Sequence, residues 1–271
     1  MIAVELVKLV RRPRTWVSIV LLCALPAMVA IFLAVTKIGP APGKEPAFLS
    51  AVLANGSLLP AAALALVLPL FLPVAVAVMA GDSIAGEASS GMLRYLLMRP
   101  VGRTRLLLAK LVALLVFMVA AVVAVAVSSY ILGRALFPAQ PGAAAAVSVS
   151  GAPLTTTQLV LRICAAVGYV AVSMLAVGAI GLFLSTLTDS SLGAALGALA
   201  ALVASEVLVT LDAAGAVRTY LPTRYWFAWL DFFRDPILWR DIDRGLAIQA
   251  VYTAVFLALA WANFATKDVT S

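Results

Sequence analysis

The chain has 271 residues, 64% hydrophobic and 11% charged, with a mean hydropathy of +1.11 and a formal net charge of +7. A soluble fold runs closer to half apolar and a quarter charged, and at this size it could not hide so much apolar surface from water, so the bilayer is the expected solvent. The basic excess fits residues that flank membrane spans and face anionic lipid rather than nucleic acid; histidine is absent, which removes imidazole catalysis and ligation, and Cys23 and Cys164 lie in apolar runs as packed thiols rather than a disulfide or zinc framework.

About 20 apolar residues cross the roughly 30 Å hydrocarbon core as a helix. Six segments meet that requirement, at about 16–35, 58–80, 111–132, 159–184, 192–211 and 246–264; Pro60, Pro69 and Pro73 fall inside the second. The first reads as a retained span, because its apolar run is too long for a signal peptide and no A-x-A-like site ends it. Lys8, Arg11, Arg12 and Arg14 precede it and place the N-terminus in the cytoplasm. Six crossings return the C-terminus to the same side, giving one all-α membrane domain over residues 1–271 without a long soluble appendage.

Between the second and third spans, residues 81–110 carry two acids, five arginines and lysines among them Arg94 and Lys110, and a helical period. Over 82–97 the apolar residues Ile84, Ala88, Met92, Tyr95 and Leu96 share a stripe, while Asp82, Glu87, Ser90 and Arg94 lie largely off it. This predicts an amphipathic helix along the inner leaflet, ended by Pro100, with Thr104 capping the third span. The alternative is a plain charged connector, which has no need of such length.

The outer loops differ from one another. "PAQPGAAAAVSVSGAPLTTTQ" is polar and of low complexity. The stretch before the sixth span gathers Tyr220, Tyr225, Trp226, Trp229, Phe232, Phe233 and Trp239 with nearly balanced charges, predicting short helices in the outer leaflet. An aromatic belt and a substrate-handling role stand as equal alternatives there.

Within the spans Glu206 is singled out as an ionisable residue, which at a helix centre costs about 2.5–3.5 kcal/mol. It faces either the bundle interior, as a substrate or proton contact, or the outer interface, or it bonds a neighbouring helix. Arg162 is expected to snorkel to the outer interface. Gly193 and Gly197, with Ala200, Ala201 and Ala204, form a small-residue face for packing within the chain or between two copies, against a background of general alanine richness. No phosphate-binding loop, G-x-S-x-G elbow or H-E-x-x-H motif occurs. The chain is therefore expected to be no enzyme, to bind no metal or cofactor, and not to hydrolyse ATP by itself.

The 81–110 segment resembles the type-2 ABC transporter permeases of bacteria. The likeness rests on "IAGE" at 84–87, Gly91, "LLMRP" at 96–100 and "RLLLAK" at 105–110, with Gly91-Met92 standing where the family often has Gly-Thr. "ELVKLVRRPRTW" is similar to the family's basic amphipathic opening helix. Phe264, Lys267 and Asp268 resemble its closing pattern, and "YLPTRYWFAWLDFFRDP" resembles actinobacterial members. The resemblance implies six helices per subunit and a membrane-spanning permease of an ATP-driven exporter of drugs, lipids or similar amphiphiles in the bacterial cell membrane. Its implied partners are two copies of an ATP-binding-cassette ATPase that carry ATP and Mg, a second permease copy or paralogue, and membrane lipid, with no nucleic acid. It makes the segment after the second span a coupling helix on the ATPase, contributing Asp82, Ile84, Glu87 and Arg94, and makes "STLTDSS" a second coupling element with Thr188 and Asp189. A stand-alone secondary transporter or channel, and a non-transporting anchor or regulatory subunit, are the alternatives.

Overall fold

A computed structural model describes residues 1–36, 56–91, 102–138, 146–148, 150 and 152–266. The chain opens with α1 (Ile2–Arg11), turns at Arg12, and enters α2 (Pro13–Thr36), whose first residue is a proline with no N–H to satisfy. After a 3-10 turn at Gly56–Leu58 come α3 (Leu59–Val67) and α4 (Phe71–Ser89). Then follow α5 (Arg103–Leu136), α6 (Thr156–Leu187), α7 (Ser191–Thr210) and α8 (Trp239–Thr266). Two-residue strands β1 (Ala146–Val147) and β2 (Pro153–Leu154) pair antiparallel ahead of α6, and 3-10 segments Asp212–Tyr220 and Ala228–Phe233 join α7 to α8.

Among the described residues six helices, α2 and α4 to α8, are long and apolar enough to cross a membrane. The protein is an all-α integral membrane protein. A long apolar helix overlaps each of the six segments marked by the sequence, and α2, α4, α5, α6 and α8 run beyond them. At 34 residues α5 reaches about 51 Å, well past the hydrocarbon, because charged or polar residues continue the helix at both ends.

The second span departs from the single 58–80 helix expected. The chain is helical to Val67 and breaks at Leu70, whose backbone (φ −136, ψ −55) is not helical. The prolines explain the break. Pro60 sits at the start of α3, Pro69 between the helices, and Pro73 in the first turn of α4, all places where a missing N–H is harmless. A second departure follows. Residues 82–89 are not a separate surface helix but the last two turns of α4, which stops at Ser89 ahead of Gly91 with φ +70. Met92, Arg94, Tyr95, Leu96 and Pro100 lie outside the described residues, as do Lys267 and Asp268. Thr104 does not cap α5: the cap position is Gly102, and the Thr104 hydroxyl instead accepts the Trp261 indole N–H at 3.1 Å.

In the packing, α6 is central and touches α4, α5, α7 and α8, while α5 also carries α1, α2 and α3. Gly81 lets α4 and α7 meet backbone to backbone: a Cβ there would lie 2.9 Å from the Ala195 nitrogen and 3.0 Å from the Ser191 carbonyl oxygen. The aromatic stretch before α8 turns inward rather than into the outer leaflet. Trp229 and Phe233 are fully buried, and Trp226, Phe232 and Tyr225 nearly so, whereas Tyr220 and Trp239 are exposed. The belt expectation therefore fails for most of them. They are drawn in by partners the loop sequence cannot display: Tyr169 donates to the Tyr225 carbonyl at 2.7 Å, Gln249 donates to the Pro222 carbonyl at 2.6 Å, and Ser205 and Thr223 share a 2.9 Å bond.

Candidate functional site

Helix hand and length bring the start of α1, the end of α4, the start of α5, the α6–α7 turn and the end of α8 to one end of the bundle. At that end α1 presents Glu5, Lys8, Leu9 and Arg12 on one side, spaced as i, i+3, i+4, i+7, and this side faces the protein. Glu87 comes from the last turn of α4 and Lys110 from the second turn of α5.

These four charges close a ring. Lys8 Nζ lies 2.9 Å from Glu5 Oε1 and 3.0 Å from Glu87 Oε1. Lys110 Nζ lies 2.7 Å from Glu87 Oε2 and 3.6 Å from Glu5 Oε2. Each carboxylate thus bridges two ammonium groups, and the ring is neutral. The Lys110 and Glu87 side chains are only 2% and 3% exposed, so neither charge has water to fall back on. Burial works against the charged form of Lys8, but its hydrogen bonds to Glu5 and Glu87 and the attraction of both carboxylates outweigh that and hold its pKa above the usual 10.5. One turn back on α4, Asp82 receives Arg12 at 3.1 Å and Arg14 at 3.1 Å. A cavity of about 40 Å³ opens beside the ring, between Lys8, Arg12, Ser83 and Lys110.

Further polar pins close the same end. The Ser185 hydroxyl of α6 donates to the Gly81 carbonyl at 2.7 Å and accepts the N–H groups of Ala85 at 2.9 Å and Ile84 at 3.1 Å. A side chain thereby enters the hydrogen-bond ladder of α4 just before Glu87. Arg103 donates to the Phe264 and Ala265 carbonyls at 3.1 and 2.9 Å, satisfying the otherwise open C-terminus of α8. Asn263 bonds the Thr186 carbonyl and hydroxyl at 3.0 and 2.9 Å.

The residues singled out from the sequence distribute as follows. Ile84 and Glu87 are buried and Asp82 is half-buried and ion-paired. Thr188 is half-buried and accepts the Ser190 N–H at 3.1 Å; Asp189 is exposed at the turn, at the same end as the ring. Ser190 caps α7 through the Gly193 N–H at 3.1 Å. Gly193 is exposed and Gly197 half-buried against Leu184, while Ala200, Ala201 and Ala204 are exposed; the face that packs inside the chain is instead Ala194, Ala195 and Ala198. Glu206 is exposed on the outside of α7, so the inward-facing reading is corrected: its neighbour Ser205 takes the buried position. Arg162 bonds the Arg234 carbonyl at 3.1 Å.

From the sequence, Glu5, Lys110 and Ser185 stand only within longer motifs with no role of their own, and Asn263 is not marked at all. Lys110 carried a usable signal, because it is a charge inside the run "LLLAKLVALL", as telling as Glu206. Glu5 carried another, as the one acid in a basic helix, three residues before Lys8. Among the described residues no three His, Cys, Asp or Glu side chains gather as a metal site. The ring attaches α1 to α4 and α5.

Residues 1–223 match the family model described as ABC-2 family transporter protein. The chain belongs to that family. The match takes in α1, the ring and five of the six candidate spans, and stops ahead of α8. No curated protein matches the chain. As an ABC-2 family member it is a multi-pass membrane permease of an ABC transporter, and the family implies an ABC ATPase as partner.

Proposed function

We propose that this ABC-2 permease is the membrane-spanning subunit of an ATP-driven exporter in the bacterial cell membrane. It works with two ATPase subunits and a second permease, a copy or a paralogue, and moves a drug, lipid or similar amphiphile. The chain itself is no enzyme and holds no cofactor; ATP and Mg²⁺ reside on the partner. The family match carries this reading. Two observations support it. The sequence has no phosphate-binding loop, so energy must enter from another chain. Among the described residues the buried charges are Glu5, Glu87 and Lys110, all at one end, rather than a line of ionisable groups across the spans.

In this reading both termini are cytoplasmic and the ATPase sits against the end that carries the ring. Asp189 and Thr188 offer one contact and Arg94 the other. Ile84 and Glu87, being buried, act behind that surface: force on the chain after α4 reaches α1 through Glu87 and Lys8, and α5 through Glu87 and Lys110. The test is purification of the tagged chain from its native membrane in mild detergent. An ATP-binding-cassette ATPase should co-purify at one per permease chain, and reconstituted vesicles should move an amphiphile only with ATP. Purification without an ATPase, or transport without ATP, overturns the reading.

A further inference from the structure

The outward side of α1 runs opposite to that of a helix on a soluble protein. Its charged stripe faces the bundle, whereas Val4 and Val7, 53% and 51% exposed, face away, with Arg11 one turn further along the same side. Where α1 turns into α2, an open groove of about 530 Å³ runs along Val4, Val7, Arg11, Arg12 and Pro13. Trp16, 55% exposed, stands beside this elbow and donates its indole N–H to the Val10 carbonyl at 2.8 Å, the posture of an aromatic at the membrane–water boundary. The charges do not cancel here. Asp82 is shared by two guanidiniums, and Arg11 has no carboxylate within ion-pair distance among the described residues, so the elbow holds a surplus of two positive charges beside an apolar groove.

We propose that the α1–α2 elbow is a binding site for one anionic phospholipid, its phosphate against Arg11 at the rim, beside Arg12, and an acyl chain along Val4 and Val7. Hydrocarbon covers the valines, and the headgroup supplies the negative charge the elbow lacks. This goes beyond the transport reading and stands without it, since its readout is lipid retention and not ATP use.

The test is native mass spectrometry of the full chain in detergent, titrated with 1-palmitoyl-2-oleoyl phosphatidylglycerol or with the matching phosphatidylcholine. The wild type should retain phosphatidylglycerol in preference to phosphatidylcholine. Arg11→Gln should weaken retention about fivefold, the factor expected for one cation at an anionic surface, and Arg11→Lys should restore most of it. Arg134→Gln, at the exposed far end of α5, should bind as wild type. Equal retention of the two lipids by the wild type overturns the proposal, and that comparison does not depend on any variant folding. So does unchanged retention by Arg11→Gln, or disulfide cross-linking of Val7→Cys between two copies in phosphatidylglycerol vesicles, which would make the face a protein interface.

Discussion

At the scale of single residues, the ring makes Glu87 and Lys110 depend on each other. Removing one partner of a buried pair strands a charge and costs about 3–5 kcal/mol, whereas replacing both with apolar groups of similar size is often neutral. Glu5 remains 3.6 Å from Lys110 and tempers the loss. We therefore expect Glu87→Gln to destabilise the protein by about 3 kcal/mol in thermal unfolding in detergent, and Glu87→Leu with Lys110→Met to recover most of it. Equal losses in the single and double variants would mean that the pair is not what holds this end together. Lys8 sets a pH limit of its own. Its folded pKa is raised, so its contribution is fully present below 10.5 and is lost as pH rises through the higher folded value. Amide exchange in α1 should be protected alike at pH 7 and pH 9 after correction for intrinsic rates, and lose protection only above about 10.5. Release of α1 by pH 9 would contradict the assignment.

At the scale of elements, apolar length carried the six spans, because hydrocarbon thickness is a constraint that sequence length records directly. What it did not carry is where a helix stops being membrane and goes on being helix. Residues 82–89 show the reason. Read alone, their stripe of Ile84 and Ala88 suits a surface helix, yet Ile84 is fully buried, in one cluster with Leu106 and Leu107 of α5, Leu182 of α6 and Phe264 of α8. Those covering residues come from three other helices, all beyond the reach of a local period. The glycines divide in the same way. Gly193 and Gly197 drew notice by their spacing, but the close approach of α7 to α4 is at Gly81, where no repeat advertises it. Gly81→Val should cost about 1–3 kcal/mol, as overpacking against fixed backbone does. Gly197→Ala should be nearly neutral, because its new methyl would meet only the tip of Leu184 at 3.3 Å. Melting of the two variants by size-exclusion fluorescence separates them; similar losses in both would show that α7, not the α4–α7 contact, sets the tolerance.

At the scale of the whole molecule, the two ends are built from different materials. The end with the ring is tied by ion pairs and by hydrogen bonds between side chains and helix termini. The other is filled by Trp226, Trp229, Phe232 and Phe233, tucked under α6 and α8. Composition announced the aromatics but not their direction, because inward and outward aromatics look alike until Tyr169 and Gln249 supply partners for the loop backbone. Orientation is open to direct measurement. In a Cys23→Ala, Cys164→Ala background, Asp189→Cys should react with an impermeant maleimide only from the cytoplasmic side, and Asp212→Cys only from the opposite side. Reversed labelling would invert the assignment, and labelling of both from one side would remove a crossing between them.

The ring also has a schedule. Glu5 and Lys8 leave the ribosome roughly a hundred residues before Lys110, a delay of about 5–20 s at ordinary synthesis rates. Until α4 brings Asp82 and Glu87, α1 has its own i, i+3 pair for neutralisation and an apolar side for the lipid. Only when α5 is delivered does the second ammonium arrive, so the ring can close no earlier than the synthesis of α5.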